Sequence, residues 1–241
     1  MSHLYLVRHG QAGTRDEYDR LSDLGRRQAR ALGEYFADQH ILFSAAYSGF
    51  MHRQQETALG VQTAYRIRGS KFPEVAQRRE WDEFNLDQVY RELAPMMCND
   101  DPQFRAEYEQ MRAQVRASRG AEDAKVHRRW LPCDSQIVAA WIEGRYPYAG
   151  ESWQAFTSRV AGFRHELRNG AGDGNIIIFT SAVPAAIWAG LALEITDGRV
   201  MWLAGVLENT AYSVLRLRAD TLRLHAFNCT PHLQPALRTY R

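Results

Sequence analysis

Apolar and polar positions alternate along this chain with periods that switch between strand-like and helix-like. Leu4 to Val7 is a short apolar run of β-favourable residues, which predicts a buried strand. From Ser22 the period turns helical: LSDLGRRQARALGEYFADQH sets Leu24, Gln28, Ala31 and Tyr35 along one side and offers Ser22 as an N-cap. ILFSAAYS at 41–48 reads as a second strand, and HRQQETALGVQTAYRI from His52 as a second helix. NIIIFT at 175–180 is the strongest buried-strand signal, and SAVPAAIWAGLAL behind it is helical after Pro184. Strands alternating with helices predict an α/β fold, a three-layer sandwich with a mainly parallel central sheet flanked by helices.

Two segments modify that plan. AYSVLRLRAD and TLRLHAF alternate apolar and polar residues and meet around Asp220, which predicts an antiparallel hairpin added to the sheet. Residues 88–148 are mostly helical, rich in Arg and Tyr, and broken by ASRGAEDAK at 117–125. This stretch is expected to be an inserted cap subdomain over one end of the sheet, within a single domain spanning residues 1–241.

Composition narrows the function classes. With 45% hydrophobic and 24% charged residues the chain is globular, and a formal net charge of +2 is too small for a general nucleic-acid binder. Any affinity for anions must be local. Cys98, Cys133 and Cys229 are odd in number and lack metal-ligand spacing, which fits a reducing, cytoplasmic setting. No apolar run approaches the ~20 residues that span a bilayer, and no signal-like segment opens the sequence, so a soluble protein is expected.

Three strand ends carry chemistry. The first strand ends in Arg8-His9-Gly10, the second in Ser48-Gly49 with Arg53 one helical turn on, and NIIIFT in Thr180-Ser181 at a helix start. A buried guanidinium without a partner costs several kcal/mol or more, so Arg8 calls for an anion. In an open α/β sheet ligands bind beyond the carboxyl ends of the strands, where these three points converge. Two guanidinium forks and a helix N-terminus suit a phosphoryl group, and a neutral imidazole between them could attack phosphorus. A general acid must then protonate the leaving oxygen.

These residues resemble the histidine phosphatase superfamily, the phosphoglycerate-mutase-like proteins. LVRHGQ at 6–11 is similar to the family signature, LSDLGRRQARALG to its first helix, and SGFMHRQQETA at 48–58 to its "SSPLxRAxETA" segment. GESWQAFTSRV at 150–160 and ENTAYSVLRL follow in the family's order, so the resemblance runs from residue 4 to about 233. It implies that His9 is the nucleophile forming a phosphohistidine and that Arg8 and Arg53 hold the phosphate. It also implies an acidic general acid in RREWDEFNLDQV, where Glu80 and Glu83 are the candidates. Glu83 is favoured, because EFNLDQV resembles the family's "EFDHDEV" form. One position departs. Where the family has "SHGG", whose histidine donates to the phosphoryl oxygens, this chain reads Ser181-Ala182-Val183. Losing one preorganised donor typically costs ~10²–10³ in rate, so a slow enzyme is expected, with the Ser181 hydroxyl and the helix N-terminus left to meet a phosphate oxygen.

Other residues carry competing readings. His127, Arg128 and Arg129 with Arg112, Arg116 and Arg119 form either a solvated basic face or a recognition surface for an anionic part of a substrate. His225 and His232 are structural candidates with a lesser chance of replacing the missing histidine, His52 is expected at an exposed helix start, and Glu151 either touches the site or caps its helix. The leading function is a cofactor-independent phosphomonoesterase acting on a phosphorylated small molecule or phosphate, with no metal, nucleic-acid or membrane partner. A non-catalytic phosphate-binding or regulatory protein and, behind it, a phosphoglycerate-type mutase remain as alternatives.

Overall fold

The apolar runs become the inner strands of a six-stranded sheet in the computed structural model, which describes residues 2–170, 174–218 and 221–240. The strands are β1 (Ser2–Arg8), β2 (Ala45–Ser48), β3 (Val75–Gln77), β4 (Gly174–Thr180), β5 (Tyr212–Arg218) and β6 (Thr221–Cys229). Their order is β3-β2-β4-β1-β5-β6. The first four in that order run parallel, and β5 and β6 extend the sheet antiparallel beyond β1. The predicted hairpin strands are therefore present, while their junction at Asp220 lies outside the described residues.

Ten helices are described: α1 (Asp23–Asp38), α2 (His52–Ile67), α3 (Leu86–Asp100), α4 (Pro102–Ala117), α5 (Lys125–Arg128), α6 (Pro132–Ile142), α7 (Trp153–Gly162), α8 (Arg164–Gly170), α9 (Ala182–Leu193) and α10 (Asp197–Val206). Because side chains alternate across a strand, β1 and β4 feed two cores. Val7, Ile177 and Phe179 pack with Leu32 and Phe36 of α1 and Val61 and Tyr65 of α2. Leu4, Leu6, Ile176 and Ile178 share the opposite core with Trp153 and Phe156 of α7 and Trp188 of α9. That second cluster continues into α3, α4 and α6 through Val89, Leu93, Phe104, Ile137 and Trp141. The helical stretch 88–148 thus shares one apolar body with the sheet.

Two expectations need correction. The buried row of α1 is Gln28, Ala29, Leu32 and Phe36, whereas Leu24, Ala31 and Tyr35 are only half-buried. The two largest apolar side chains, Leu32 and Phe36, set the inward face, and small residues beside them let α2 approach. The second strand is also shorter than expected, because residues 41–44 form the connection after α1, with Ile41 N–H donating to Phe36 O at 3.0 Å. The three-residue edge strand β3 left no periodic signal. Among the described residues no helix is long and apolar enough to cross a membrane.

Candidate active site

Register places the chemistry. Arg8 at the end of β1 lies opposite Thr180 at the end of β4, and Ser48 lies opposite Phe179. The three strand ends therefore release their chains at one edge of the sheet. There Arg8, His9, Arg53 and Glu83 line a cleft of 2170 Å³, closed on its other side by residues of α3, α4, α6 and α10.

The turn after β1 is fixed by backbone proximity and amide contacts. A Cβ on Gly10 would lie 2.5 Å from Gly25 O, and one on Gly25 would lie 2.2 Å from Gln11 O, so this crossing of loop and α1 admits only glycine. Gly10 N–H donates to Thr57 Oγ1 at 3.0 Å, and Thr57 in turn donates to Arg53 O at 2.7 Å, tying the His9 turn to α2. Asn209 Nδ2 donates to His9 O at 3.1 Å. Ser22 caps α1 as expected, accepting from Gly25 N–H at 3.0 Å.

His9 is buried, with its Nδ1 2.7 Å from Gly10 O and its Nε2 3.1 Å from Arg53 Nε. An arginine Nε–H only donates, so Nε2 is the accepting nitrogen and the proton resides on Nδ1, directed at the Gly10 carbonyl. Burial, reinforced by the Arg53 and Arg8 charges, holds the imidazole well below its ordinary pKa. The ring is therefore neutral, with its lone pair facing the guanidinium.

Arg8 and Arg53 are both buried, at 4% and 5% exposure. Arg8 Nη1 donates to Leu207 O, its side chain is hydrogen-bonded to Tyr18, and its Nε has no partner. Arg53 Nη1 is 2.8 Å from Asp19 Oδ1, and its guanidinium stands 5.0 Å from the Tyr18 ring centroid. Glu83 faces them, accepting from Val183 N–H at 3.1 Å and Phe84 N–H at 3.2 Å. Burial pushes its carboxyl up to about 7, with the Val183 N–H opposing that shift. Glu80, the other acidic candidate, does not line the cleft.

Ser181 departs from expectation. It occupies the N-cap position of α9 but makes no side-chain capping bond, and it does not line the cleft. Its Oγ accepts from Gln54 Nε2 at 2.9 Å, because that buried amide needs partners and divides its hydrogens between Ser181 Oγ and Trp81 O. The phosphate-binding role expected for Ser181 therefore finds no support in the lining of this cleft. Ala182 and Val183 form the cleft wall instead.

The remaining candidates divide. His127 is buried, accepting from Arg15 N–H at 3.1 Å through Nδ1 with Nε2 3.2 Å from Ser118 O, so it is not part of a basic face. Arg112, Arg116, Arg119, Arg128 and Arg129 do line the cleft. His225 meets Arg216 at 3.2 Å and His232 meets Thr210 Oγ1 at 3.0 Å; neither lines the cleft. His52 stands at the cleft rim at the start of α2. Glu151 pairs with Arg159 at 2.7 Å, and Ser152 caps α7. Sequence reasoning missed Arg15, Tyr18 and Asp19, all in the loop between β1 and α1, which has no periodicity. Their one signal was position, since that loop follows the carboxyl end of a central strand. Among the described residues no group of three His, Cys, Asp or Glu is placed to hold a metal ion.

A family model described as the histidine phosphatase superfamily (branch 1) matches residues 4–144 and 134–230. Among solved structures, YhfR of Bacillus stearothermophilus is 16% identical with a TM-score of 0.61, covering 96% of this chain and 99% of its own. A variant phosphoserine phosphatase from Entamoeba histolytica, in complex with phosphoserine, is 19% identical with a TM-score of 0.56, covering 97% and 100%. Phosphoglycerate mutase from Bacillus anthracis is 17% identical with a TM-score of 0.56, covering 94% and 92%. At such identities the likeness is one of fold, shared by phosphatases and a mutase alike. No curated protein matches the sequence.

Proposed function

The chain belongs to the histidine phosphatase superfamily, branch 1, and from that premise we propose that it is a phosphomonoesterase acting through a phosphohistidine on His9. The observation that carries this reading is the neutral, buried imidazole whose Nε2 lone pair is held 3.1 Å from a buried arginine. A dianionic phosphoryl group entering the cleft draws the Arg53 guanidinium from His9 onto its own oxygens, with Arg8 alongside. Nε2 is then free to attack phosphorus. The N–P bond forms as the P–O bond to the leaving group breaks, and Glu83, protonated in part at neutral pH, gives its proton to the departing oxygen. Water next enters, the Glu83 carboxylate takes its proton, and the N–P bond breaks to release phosphate and neutral His9.

The cleft favours hydrolysis over a mutase cycle, because a cavity of 2170 Å³ exceeds the ~300–1,000 Å³ of ordinary ligand sites and leaves water access to the intermediate. We assign residues 88–148 the role of a cap that selects substrate. On it Arg112 and Arg116 of α4 and Arg119 in the turn after it line the cleft, which favours leaving groups that carry further negative charge. The three cysteines are free thiols, which suits a cytoplasmic setting.

One observation favours a non-catalytic phosphate binder: Ser181 stands where the family's second histidine belongs and does not line the cleft. Glu83 weighs against that reading, since a binding module has no use for a carboxyl poised near neutral pH. Hydrolysis of an aryl phosphate without added metal decides between them. Turnover by the wild type and none by His9→Ala, at matched purity and fold, is the expected result. Equal residual rates in both would overturn the phosphatase assignment.

A further inference from the structure

Arg53 serves two partners in succession, the His9 lone pair in the empty site and phosphoryl oxygens in the filled one. A guanidinium is a rigid plane of donors, so whatever fixes that plane between the two states decides how well it meets the second partner.

Three contacts fix it. Arg53 Nε donates to His9 Nε2 at 3.1 Å, Nη1 donates to Asp19 Oδ1 at 2.8 Å, and the Tyr18 ring centroid lies 5.0 Å from the guanidinium carbon. The first contact is given up when a phosphoryl group arrives, because Nε2 must be free to attack phosphorus. The Asp19 bond is made at a different nitrogen and need not break. It is the in-plane contact left to steer the guanidinium as it turns from His9 to the ligand.

Asp19 is itself held at two ends. Its Oδ2 accepts from the N–H of His52, the first residue of α2, at 3.2 Å. Met51 at the N-cap position makes no side-chain capping bond, so a carboxylate from the loop after β1 caps the helix that carries Arg53. That loop is closed by Gly13 N–H donating to Arg20 O at 2.7 Å and by the pairing of Ala12 with Leu21. Arg15 ties it to the helical segment, donating to both oxygens of Asp134 at 2.9 and 2.6 Å. One carboxylate therefore refers Arg53 both to its own helix and to the loop that follows His9.

The same carboxylate is an anion beside an anion site. Asp19 and Arg53 both line the cleft, the first half-exposed and the second buried. Asp19 repels a bound dianion and shares the Arg53 charge with it, which loosens the hold on phosphate in the ground state.

We propose that Asp19 is a positioning residue for phosphoryl transfer: it keeps the Arg53 guanidinium aligned between His9 and the entering phosphoryl group, and it restrains the grip of Arg53 on phosphate before and after the chemical step. The proposal rests on the phosphoryl-transfer reading above. Asp19 touches no reacting atom, and its influence reaches phosphorus only through Arg53. An interaction relaxed in the ground state and kept in the transition state is one that speeds the chemical step.

Two substitutions test it. Asp19→Ala removes both oxygens, whereas Asp19→Asn removes the charge and keeps an oxygen that can accept from Arg53 Nη1. With an aryl phosphate, kcat is expected to fall about 10- to 10²-fold in Asp19→Ala and less than about five-fold in Asp19→Asn, because the second variant retains the pivot. Inorganic phosphate is expected to inhibit Asp19→Asn about three- to ten-fold more tightly than the wild type, since the repulsion is gone. If Asp19 only capped α2, both variants would unfold at lower urea while kcat and phosphate inhibition of the folded protein stayed within about two-fold of wild type, and that result overturns the proposal. If the wild type itself hydrolyses nothing, the phosphatase reading fails separately and Asp19 is judged on phosphate binding by titration calorimetry. Tighter binding to Asp19→Asn than to the wild type then sustains its restraint on Arg53, and equal or weaker binding overturns it.

Discussion

Glu83 and Ser181 show how little of a residue's role lies in its type. A carboxyl normally ionises near pH 4, yet burial raises Glu83 to about 7, so the acid form persists where the ester is already a dianion. The sign follows directly: activity that needs the Glu83 proton is fully present below pH 7 and declines as pH rises through that value. For an alkyl phosphate, whose leaving oxygen must be protonated, kcat/KM should drop about ten-fold per pH unit above 7. For a nitrophenyl ester, whose leaving group needs no acid, the decline should be shallow. Glu83→Gln should remove the alkaline limb and cost about 10²–10⁴ on the alkyl ester, read from the two pH profiles. Ser181 is the converse case, a hydroxyl at the end of β4 whose oxygen accepts from Gln54 and which does not line the cleft.

At the scale of elements, the site depends on how closely the loop after β1 crosses α1. Gly10 and Gly25 meet backbone to backbone, and the contact holds His9 in place through Gly10. Gly25→Ala inserts a methyl 2.2 Å from Gln11 O, which the loop can accommodate only by moving. A loss of about 1–3 kcal/mol in urea unfolding is expected, with a larger proportional loss of activity than of folded protein. If activity at full occupancy of the folded state were unchanged, the crossing would not be positioning His9. The sequence pattern showed that α1 exists and that Ser22 caps it, because caps and period are local. Of the row it aligned only Gln28 is buried, against Gln11, Leu237 and Thr239, while Ala29, Leu32 and Phe36 turn inward with α2 packed beside them.

At the scale of the whole molecule, a buried ion pair joins the loop after β1 to the helical segment, beside the apolar core that this segment shares with the sheet. Arg15, from the loop after β1, and Asp134, on α6, have side chains 9% and 2% exposed and share two hydrogen bonds. Tyr90 also donates to Asp134. Arg15→Ala leaves a buried carboxylate without its charge partner, so a destabilisation of about 3–5 kcal/mol is expected by denaturant unfolding. A loss below about 1 kcal/mol would mean that the helical segment is held by its apolar contacts alone. The arginines of α4 and of the turn after it belong to the same scale, because they line the cleft opposite the strand ends. An aryl phosphate bearing a carboxylate should have a higher kcat/KM than its uncharged counterpart. The advantage should shrink with added salt and be lost in the combined variant Arg112→Gln, Arg116→Gln, Arg119→Gln. Equal kcat/KM for the two esters at low salt would mean that these arginines are a solvated face.

The sequence by itself determined the alternation of strands and helices, the hairpin strands, the helical insertion and the presence of Arg8, His9 and Arg53 at strand ends, since each rests on period or on local order along the chain. What only the tertiary structure decided is which side chains face the cleft. Glu83 was separated from Glu80, Ser181 was turned onto Gln54, His127 was buried against Arg15, and Tyr18 was brought onto Arg8, His9 and Arg53. The physical reason is common to the first three. A buried polar group goes where its hydrogen bonds are satisfied, and its partners lie far away along the chain: Gln54 from Ser181, Arg15 from His127 and Val183 from Glu83.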